Sequence, residues 1–484
     1  MNALKELQPE RVFYHFEQIS GIPRGSGNVK QIGSFLMDFA REKGLSCDMD
    51  ASGNVVIRKE AAEGYEDCPA VILQGHMDMV CEKRPDKVHD FEKDGLSLQV
   101  KDGFIYADGT TLGGDDGIAL AIGMAILEDR NIKAPALECL FTVDEEIGLL
   151  GAMELDPGLL KGRSMINLDS ELEGILTVAC AGGLTLVSHI PVKRTTAEGC
   201  LVRIRVEGLL GGHSGTEINK GRANANILMG RFLYRLSQEM EAALLSLTGG
   251  NKGNAIPREC CADILLDKEN VQQAKALCEE LTKSLRQEYA NLDEGVRIGL
   301  SVEKEEAREE ALTKVSQEKV IFYLMNAPYG VEKMSGTITG LVETSSNLGI
   351  IELGKDSFMG LESVRSSIMS GMAALGDRIL YLTEFLGGEC EKTEEYPAWE
   401  YREDSPLREL MKEIYVEMYG EEPKVEAVHA GLECGILSEK IPGLDMVSIG
   451  PNIKDIHTFE EHLDIASVER VYRYVLKVLE RMKS

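Results

Sequence analysis

Strand-like and helix-like segments alternate along the first part of the chain, and this alternation limits the fold more than any other feature of the sequence. Apolar, strand-like runs lie at 70–73, 137–143 and 164–168, and a helix-like run lies at 118–127. Such alternation is typical of α/β domains, in which helices connect largely parallel strands. We therefore predict an α/β domain with a central, mostly parallel sheet over residues 1–185.

The pattern changes near residue 186, where strand–helix–strand units with antiparallel character begin. We predict an inserted α+β domain of two related lobes over residues 186–396. The charged segment 390–399, which contains Pro397, is predicted to be the linker that returns the chain to the first domain. The runs behind this prediction lie at 201–206, 223–241, 255–266 and 271–289, followed by a similar stretch at 319–386.

Helix and strand signals resume in the tail, residues 397–484. Asp404 or Ser405 is a predicted N-cap for a helix with Pro406 in its first turn and Gly420 past its end. A strand-like run at 445–449 follows. Because 484 residues exceed the roughly 250–300 that one hydrophobic core supports, we expect two domains, with the tail completing the first. The last helix is predicted to bury one face, formed by Val468, Val471, Tyr472, Val475 and Leu479.

The excess of acidic residues argues against several classes of partner. The chain has 81 acidic and 52 basic residues, a formal net charge of −29, and would repel polyanions. We therefore expect neither nucleic acid nor a membrane as a partner. The first ten residues lack the apolar core of a secretory signal, and eleven cysteines without a CxxC pair are typical of reduced thiols. These features favour a cytoplasmic protein.

A histidine and an aspartate follow the first predicted strand. His76 and Asp78 would face the same side if the strand continued past His76. An aspartate that accepts the second ring N–H of a metal-bound histidine fixes the tautomer of that ring. Taken alone, a His-x-Asp pair is more often a structural hydrogen bond than a metal site.

Further acids and a second histidine occupy loops at comparable positions. Asp115 and Asp116 stand in a glycine-flanked turn, where either could approach a cation or cap the next helix. The three adjacent acids 144–146 would repel one another, and a cation would relieve that cost. Asp169 and His457 follow two more predicted strands. Imidazole with carboxylates suits Zn²⁺, Mn²⁺ or Co²⁺ better than Ca²⁺.

The chain resembles the M20 metallopeptidases in five metal-site motifs, which occur in the order GHMDMV, TLGGDDG, TVDEEIG, NLDSE and IHTFEEHL. The resemblance continues through GGHSG, GNAIPRE, ETSSNLG, SVRSS and HAGLECG, and so covers essentially the whole chain. It is closest to the aminoacyl-histidine dipeptidase subfamily. The resemblance implies a di-metal peptidase domain, residues 1–185 and 397–484, interrupted by a two-lobed lid domain.

The same resemblance implies two divalent metal ions, Zn²⁺ first, with Mn²⁺ and Co²⁺ as alternatives. Asp78 would orient His76, and Glu145 would be the catalytic base. This chain has Asp116 where the subfamily commonly has Asn, so whether Asp115 or Asp116 bridges the ions stays open. The ligands would be His76 and Asp169 for one ion, Glu146 and His457 for the other, and Asp115 for both.

Adjacent acids on a strand point in opposite directions, so we predict that Glu146 binds metal while Glu145 faces the water. The inserted domain would close over the site. His213 could donate a hydrogen bond to a tetrahedral oxyanion, and the planar fork of Arg365 suits a carboxylate. By the resemblance, the substrate-binding residues would be His213, Asn254, Arg365 and Gly431.

The implied activity is hydrolysis of dipeptides, including Xaa-His dipeptides such as β-alanyl-histidine and other unblocked dipeptides. Two other functions remain open: an aminoacylase or tripeptidase of the same family, and a metal- or peptide-binding protein without catalysis. The partner would be a small peptide substrate. The chain could act as a monomer or as a homodimer.

Overall fold

The computed structural model describes residues 3–483, which form two compact units. The first unit consists of Met1–Ala179, Tyr401–Ala427 and Leu432–Ser484. The second consists of Cys180–Glu400 with the short segment Val428–Gly431. Each unit has a sheet of its own. Within the described residues, no helix combines the length and apolar character needed to cross a membrane.

The first unit is built on an eight-stranded sheet with a parallel centre. Val71–His76 pairs in parallel with Leu137–Thr142 on one side and with Ser164–Asn167 on the other. Strands buried on both faces have continuous apolar sequences, and every residue of Val71–His76 and Leu137–Thr142 is buried. The predicted mostly parallel sheet is thus confirmed. The strand order is Ser46–Met49, Val55–Lys59, Leu137–Thr142, Val71–His76, Ser164–Asn167, Asp445–Ser448, Ile175–Cys180 and Lys424–Val428.

Helices and a small second sheet complete this unit. Gly114–Glu128 is apolar on all sides, and it is buried from Gly117 to Leu127. A four-stranded sheet is formed by Ile453–Lys454, His462–Asp464, Phe104–Ala107 and Leu98–Lys101. The helices are Glu10–Ser20, Lys30–Lys43, Gly114–Glu128, Leu150–Glu154, Pro406–Tyr419, Glu433–Lys440 and Ile465–Arg481, with a 3₁₀ turn at Pro157–Leu159.

The tail contributes both a strand and a helix to the first unit. Asp445–Ser448 pairs in parallel with Ser164–Asn167. The terminal helix Ile465–Arg481 buries the predicted apolar face, except that Tyr474 is buried where Tyr472 was expected and Tyr472 is half-buried. The parallel strand matters for the site, because the chain continues from it through the short strand Ile453–Lys454 to His457, which lies 3.3 Å from Asp115.

The second unit is built on a nine-stranded antiparallel sheet. The two halves of this sheet meet where Ala242–Gly249 pairs with Val342–Leu353 through two residue pairs. The strand order is Arg297–Leu312, Arg194–Glu207, Cys260–Leu266, Ala242–Gly249, Val342–Leu353, Ser357–Ser366, Gly182–Pro191 and Glu389–Tyr396, with Gly330–Met334 also pairing with Val342–Leu353. The other elements are a two-stranded sheet, Gly212–His213 and Ala255–Ile256, the helices Ala225–Glu239, Val271–Glu288, Lys314–Asn326 and Met369–Phe385, and 3₁₀ turns at Ile218–Lys220 and Lys268–Asn270.

The prediction of a linker at 390–399 is wrong. Glu389–Tyr396 is a strand at the edge of the second sheet, where it pairs with Gly182–Pro191. Its charged side chains are exposed, as is common on edge strands, because charge there discourages pairing with other chains. The charge that suggested a linker is therefore a property of the sheet edge.

Ser405, one of the two predicted caps, is the N-cap of the helix Pro406–Tyr419. Its hydroxyl accepts a hydrogen bond from the backbone N–H of Arg408 and donates one to Asp445. Ser405 is buried, whereas Asp404 is exposed.

We expect Ser405→Ala to lower the free energy of unfolding by about 1–2 kcal/mol, because the first turn of the helix loses its cap. Urea unfolding followed by circular dichroism measures this change. Asp404→Ala is the matched control and should leave the free energy of unfolding nearly unchanged. A larger loss in the Asp404 variant would contradict the assignment.

Candidate metal centre

His76 ends the central strand of the first unit, and its ring lies between three carboxylates. Nε2 is 3.0 Å from Oδ1 of Asp115 and 3.6 Å from Oδ1 of Asp169. Nδ1 is 3.4 Å from Oδ1 of Asp78, which is completely buried. The strand ends at His76, so a continued strand is not what brings His76 and Asp78 together, although the two side chains do lie close to each other. Asp78 therefore contacts the ring nitrogen opposite the one that faces Asp115 and Asp169, and it can fix the orientation of the ring.

Asp115 faces both histidines of the cluster. Its Oδ2 is 3.3 Å from Nε2 of His457, while its Oδ1 faces His76. Neither Asp115 nor Asp116 is the N-cap of the helix Gly114–Glu128, because Gly113 occupies that position. Asp116 is buried, and its carboxylate accepts the backbone N–H of His76 at 3.2 Å. Asp115 thus faces both histidines, whereas a carboxylate oxygen of Asp116 lies within 4.8 Å of ligand atoms of His76 and Asp169.

Glu146 and His457 lie on the other side of Asp115. Oε1 of Glu146 is 3.1 Å from Nε2 of His457. Glu145 joins the cluster as well, since His76, Glu145 and Glu146 offer ligand atoms within 4.8 Å of one another. The five predicted ligand side chains therefore lie together, although His457 is remote in sequence.

The two glutamates lie in the loop after Leu137–Thr142 and not on a strand, so the strand-based argument for their directions is wrong. Their backbone N–H groups both donate to Asp78, at 3.0 and 3.2 Å. Asp78 thus holds this loop in addition to the ring of His76. One buried carboxylate connects two parts of the cluster.

The two imidazoles bind protons tightly in this environment. Burial lowers the pKa of His76, but the charge of Asp169 and the hydrogen bond to Asp115 raise it well above its usual value. Hydrogen bonds to Asp115 and Glu146 raise the pKa of His457 to about 10. These protons occupy the ring nitrogens that a metal ion would take, so ion binding would release them.

Several carboxyl groups of the cluster resist ionisation. Burial raises the pKa of Asp169 to about 6 and that of Glu171 to about 7. Burial also raises the pKa of Glu145 well above its usual value, with a further contribution from Asp169. Divalent cations would relieve this crowding of buried acids, and the mixture of imidazole and carboxylate oxygen suits Zn²⁺, Mn²⁺ or Co²⁺. The donor set therefore fits the expected metal ions.

Two buried charged residues near the cluster had no role in the sequence analysis. Arg24 donates to the backbone oxygens of Met77 and Asp78, each at 2.9 Å, and to that of Gly113. Glu433, in the HAGLECG motif, accepts hydrogen bonds from Gln74 and Thr142, which lie on two neighbouring strands of the central sheet. The contacts of Arg24 are to backbone atoms and leave no pattern in the sequence. The motif was the only signal for Glu433.

In the second unit, His213 lies on the short strand Gly212–His213. Its Nδ1 accepts the backbone N–H groups of Gly215 and Thr216 at 3.2 and 3.1 Å. Burial and nearby Arg365 lower the pKa of His213. Because Nδ1 accepts two N–H groups, the neutral ring carries its proton on Nε2, which has no hydrogen-bond partner among residues 3–483. Asn254 is adjacent, since its backbone oxygen accepts the N–H of Ser214 at 2.9 Å.

Arg365 and Gly431 adjoin the same tyrosine of the second unit. Nη1 of Arg365 donates to the hydroxyl of Tyr396 at 2.9 Å, and a Cβ on Gly431 would lie 2.8 Å from that ring. Arg365 is only 8% exposed, and its Nε has no hydrogen-bond partner among residues 3–483. A Cβ on Gly215 would lie 3.0 Å from His213 and 3.2 Å from Arg365, so these two side chains are neighbours.

Comparisons with known proteins agree with this arrangement. The chain matches peptidase family M20/M25/M40 over residues 72–481. It is 35% identical over 485 residues to the cytosol non-specific dipeptidase of Escherichia coli (strain K12), with 100% of this chain and 99% of that protein covered. The crystal structure of aminoacylhistidine dipeptidase from Vibrio alginolyticus matches with a TM-score of 0.90 and 34% identity, covering 99% of this chain and 97% of that one.

A more distant structure, aminopeptidase PepT from Bacillus cereus ATCC 10987, matches with a TM-score of 0.57 and 17% identity, covering 99% of this chain and 100% of that one. At this identity the likeness supports the fold alone. The family match covers most of the chain, and it includes the whole His76–His457 cluster. The chain is therefore a member of peptidase family M20/M25/M40.

Proposed function

We propose that this protein is a metal-dependent dipeptidase. One observation carries the proposal: the carboxylate of Asp115 faces His76 with one oxygen and His457 with the other, at 3.0 and 3.3 Å. A carboxylate that faces two separate sets of possible ligands is suited to bind two ions at once. The full-length relatives named as dipeptidases support the substrate class.

The residues that would hold two divalent ions divide around Asp115. His76 and Asp169 suit one ion, Glu146 and His457 the other, and Asp115 both. Zn²⁺ is the proposed metal, with Mn²⁺ and Co²⁺ as alternatives that accept the same ligands. When bound, such ions lower the pKa of a water molecule and polarise the peptide carbonyl.

Glu145 is the proposed general base. Its carboxylate lies within 4.8 Å of ligand atoms of His76 and Glu146, where it could take a proton from water and later deliver it to the amine that leaves. Asp78 serves this step indirectly, because it holds both the backbone N–H of Glu145 and the ring of His76. Through these two contacts, Asp78 fixes the position of the proposed base relative to the proposed ligand His76.

Residues of the second unit are proposed to bind the substrate. The free Nε2–H of His213 suits the oxyanion that forms when the carbonyl is attacked. The unpartnered Nε of buried Arg365 suits the C-terminal carboxylate of a dipeptide. Asn254 and Gly431 would line the same region. We propose a lid role for this unit on these grounds, and a cytoplasmic location from the name of the Escherichia coli relative.

A substrate panel with metal removal tests the proposed function. We expect unblocked dipeptides, β-alanyl-histidine among them, to be hydrolysed with higher kcat/KM than their N-acetylated forms or a tripeptide. Chelation should stop turnover, and Zn²⁺, Mn²⁺ or Co²⁺ should restore it. Preference for N-acyl substrates or tripeptides would indicate another activity of the family. Metal binding without turnover on any of them would indicate a binding protein.

A further inference from the structure

Glu461 is a buried acid, 2% exposed, whose carboxylate binds the loop 112–115. This loop includes the first two residues of the helix Gly114–Glu128, in which Asp115 and Asp116 have non-helical backbone angles. It accepts four backbone hydrogen bonds. Oε2 accepts the N–H groups of Leu112 and Gly113 at 2.8 and 3.0 Å, and Oε1 accepts those of Gly114 and Asp115 at 2.8 and 3.3 Å. Four bonds use essentially all the accepting capacity of a carboxylate. This loop is therefore folded around one side chain.

The glycines of this loop leave no space for a side chain. Gly113 has φ of 62°, and a Cβ there would collide with Nη2 of Arg24. A Cβ on Gly114 would lie 3.3 Å from Oε1 of Glu461 itself. Arg24 also binds the loop, through the backbone oxygen of Gly113. The loop is thus held by a buried anion and a buried cation.

Glu461 also stands four residues after His457 in the same loop. Its bonds to 112–115 therefore connect the segment of His457 to the segment of Asp115, whose side chains are 3.3 Å apart. If this connection were lost, each segment could move independently of the other. The two oxygens of Asp115 could then no longer face both histidines at once.

We infer that Glu461 is a positioning residue of the metal centre, which orients Asp115 between His76 and His457 by holding the loop 112–115. The inference rests on the proposed function, because it assumes that these side chains bind ions. Residues that orient metal ligands typically contribute 10–100-fold to metal affinity. Glu461 would act entirely through Asp115 and His457 and would not touch the substrate.

Two substitutions separate the geometry of Glu461 from its charge. Glu461→Gln keeps the length but places an NH₂ group against backbone N–H donors. Glu461→Asp keeps the charge but is too short to reach all four. Zn²⁺ affinity of the metal-free, full-length protein is measured by calorimetry, and the environment of the ions by the absorption spectrum of Co²⁺. Glu460→Gln is the matched control, since Glu460 is the exposed neighbour.

We expect both Glu461 variants to bind Zn²⁺ about 10–100-fold more weakly than wild type and to show an altered Co²⁺ spectrum. The Glu460 variant should match wild type in both. Wild-type affinity and spectrum in Glu461→Gln would overturn the inference, and so would wild-type behaviour of Glu461→Asp, because charge alone would then suffice. Failure of the wild type to bind ions would instead overturn the proposed function.

Hydrogen exchange in the wild type keeps the inference testable if both variants fail to fold. The backbone amides of 112–115 should exchange slowly without metal and more slowly still when Zn²⁺ is bound, because the loop and the ions stabilise each other. Fast exchange of these amides in both states would overturn the positioning role.

Discussion

Replacing Glu145 by Gln should leave the metal content unchanged and lower kcat by about 10²–10⁴-fold, the usual contribution of a general base. The amide has the shape of the carboxylate but cannot accept a proton from water. Glu145 lies within 4.8 Å of ligand atoms of His76 and Glu146. Gln at this position has the same length, so the substitution changes the chemistry of the group and not its distance from the cluster. The measurements are kcat on β-alanyl-histidine and the metal content by elemental analysis of the same sample.

Glu146→Gln is the matched control, because it makes the same chemical change at the next residue. Its Oε1 lies 3.1 Å from His457, so we expect this variant to lose bound metal as well as activity. The contrast between the two variants separates a base from a ligand. Near-normal turnover in a metal-replete Glu145 variant would assign the proton transfer to another group.

The central sheet could be predicted from the sequence because strands buried on both faces have continuous apolar sequences. Val71–His76 and Leu137–Thr142 are of this kind. The strand Glu389–Tyr396 could not, since its exposed charges serve the edge of a sheet and resemble those of a linker. The composition of a segment reflects whether it is buried or exposed to water. Because an edge strand and a linker are both mostly exposed, their compositions are alike.

The sequence predicted those parts of the site in which a side chain belongs to a recognisable motif. His76, Asp115 and His457 lie together as their motifs implied. Arg24 and Glu461 were missed because they bind backbone atoms, and any sequence can supply those partners. The motif IHTFEEHL contains Glu461, but only the folded loop distinguishes it from Glu460.

Replacing Arg365 by Ala should raise the transition-state free energy for unblocked dipeptides by about 2–5 kcal/mol, the cost of leaving a buried partner charge unpaired. Metal ions activate water but do not discriminate dipeptides from longer peptides. A charged residue that binds the C-terminal carboxylate would provide this discrimination. Arg365 is buried, and its Nε lacks a partner among residues 3–483, so a carboxylate can be received there.

Amidated dipeptides make this expectation specific, because they have no carboxylate for Arg365 to bind. The Arg365 variant should lose kcat/KM on the free dipeptide far more than on the amidated one. Arg378→Ala is the control, since Arg378 is an exposed arginine of the same unit that pairs with Glu332 at 3.0 Å. Equal losses on both substrates would reject the anchor. Arg365 would then act through its bond to Tyr396, as part of the packing of the second unit.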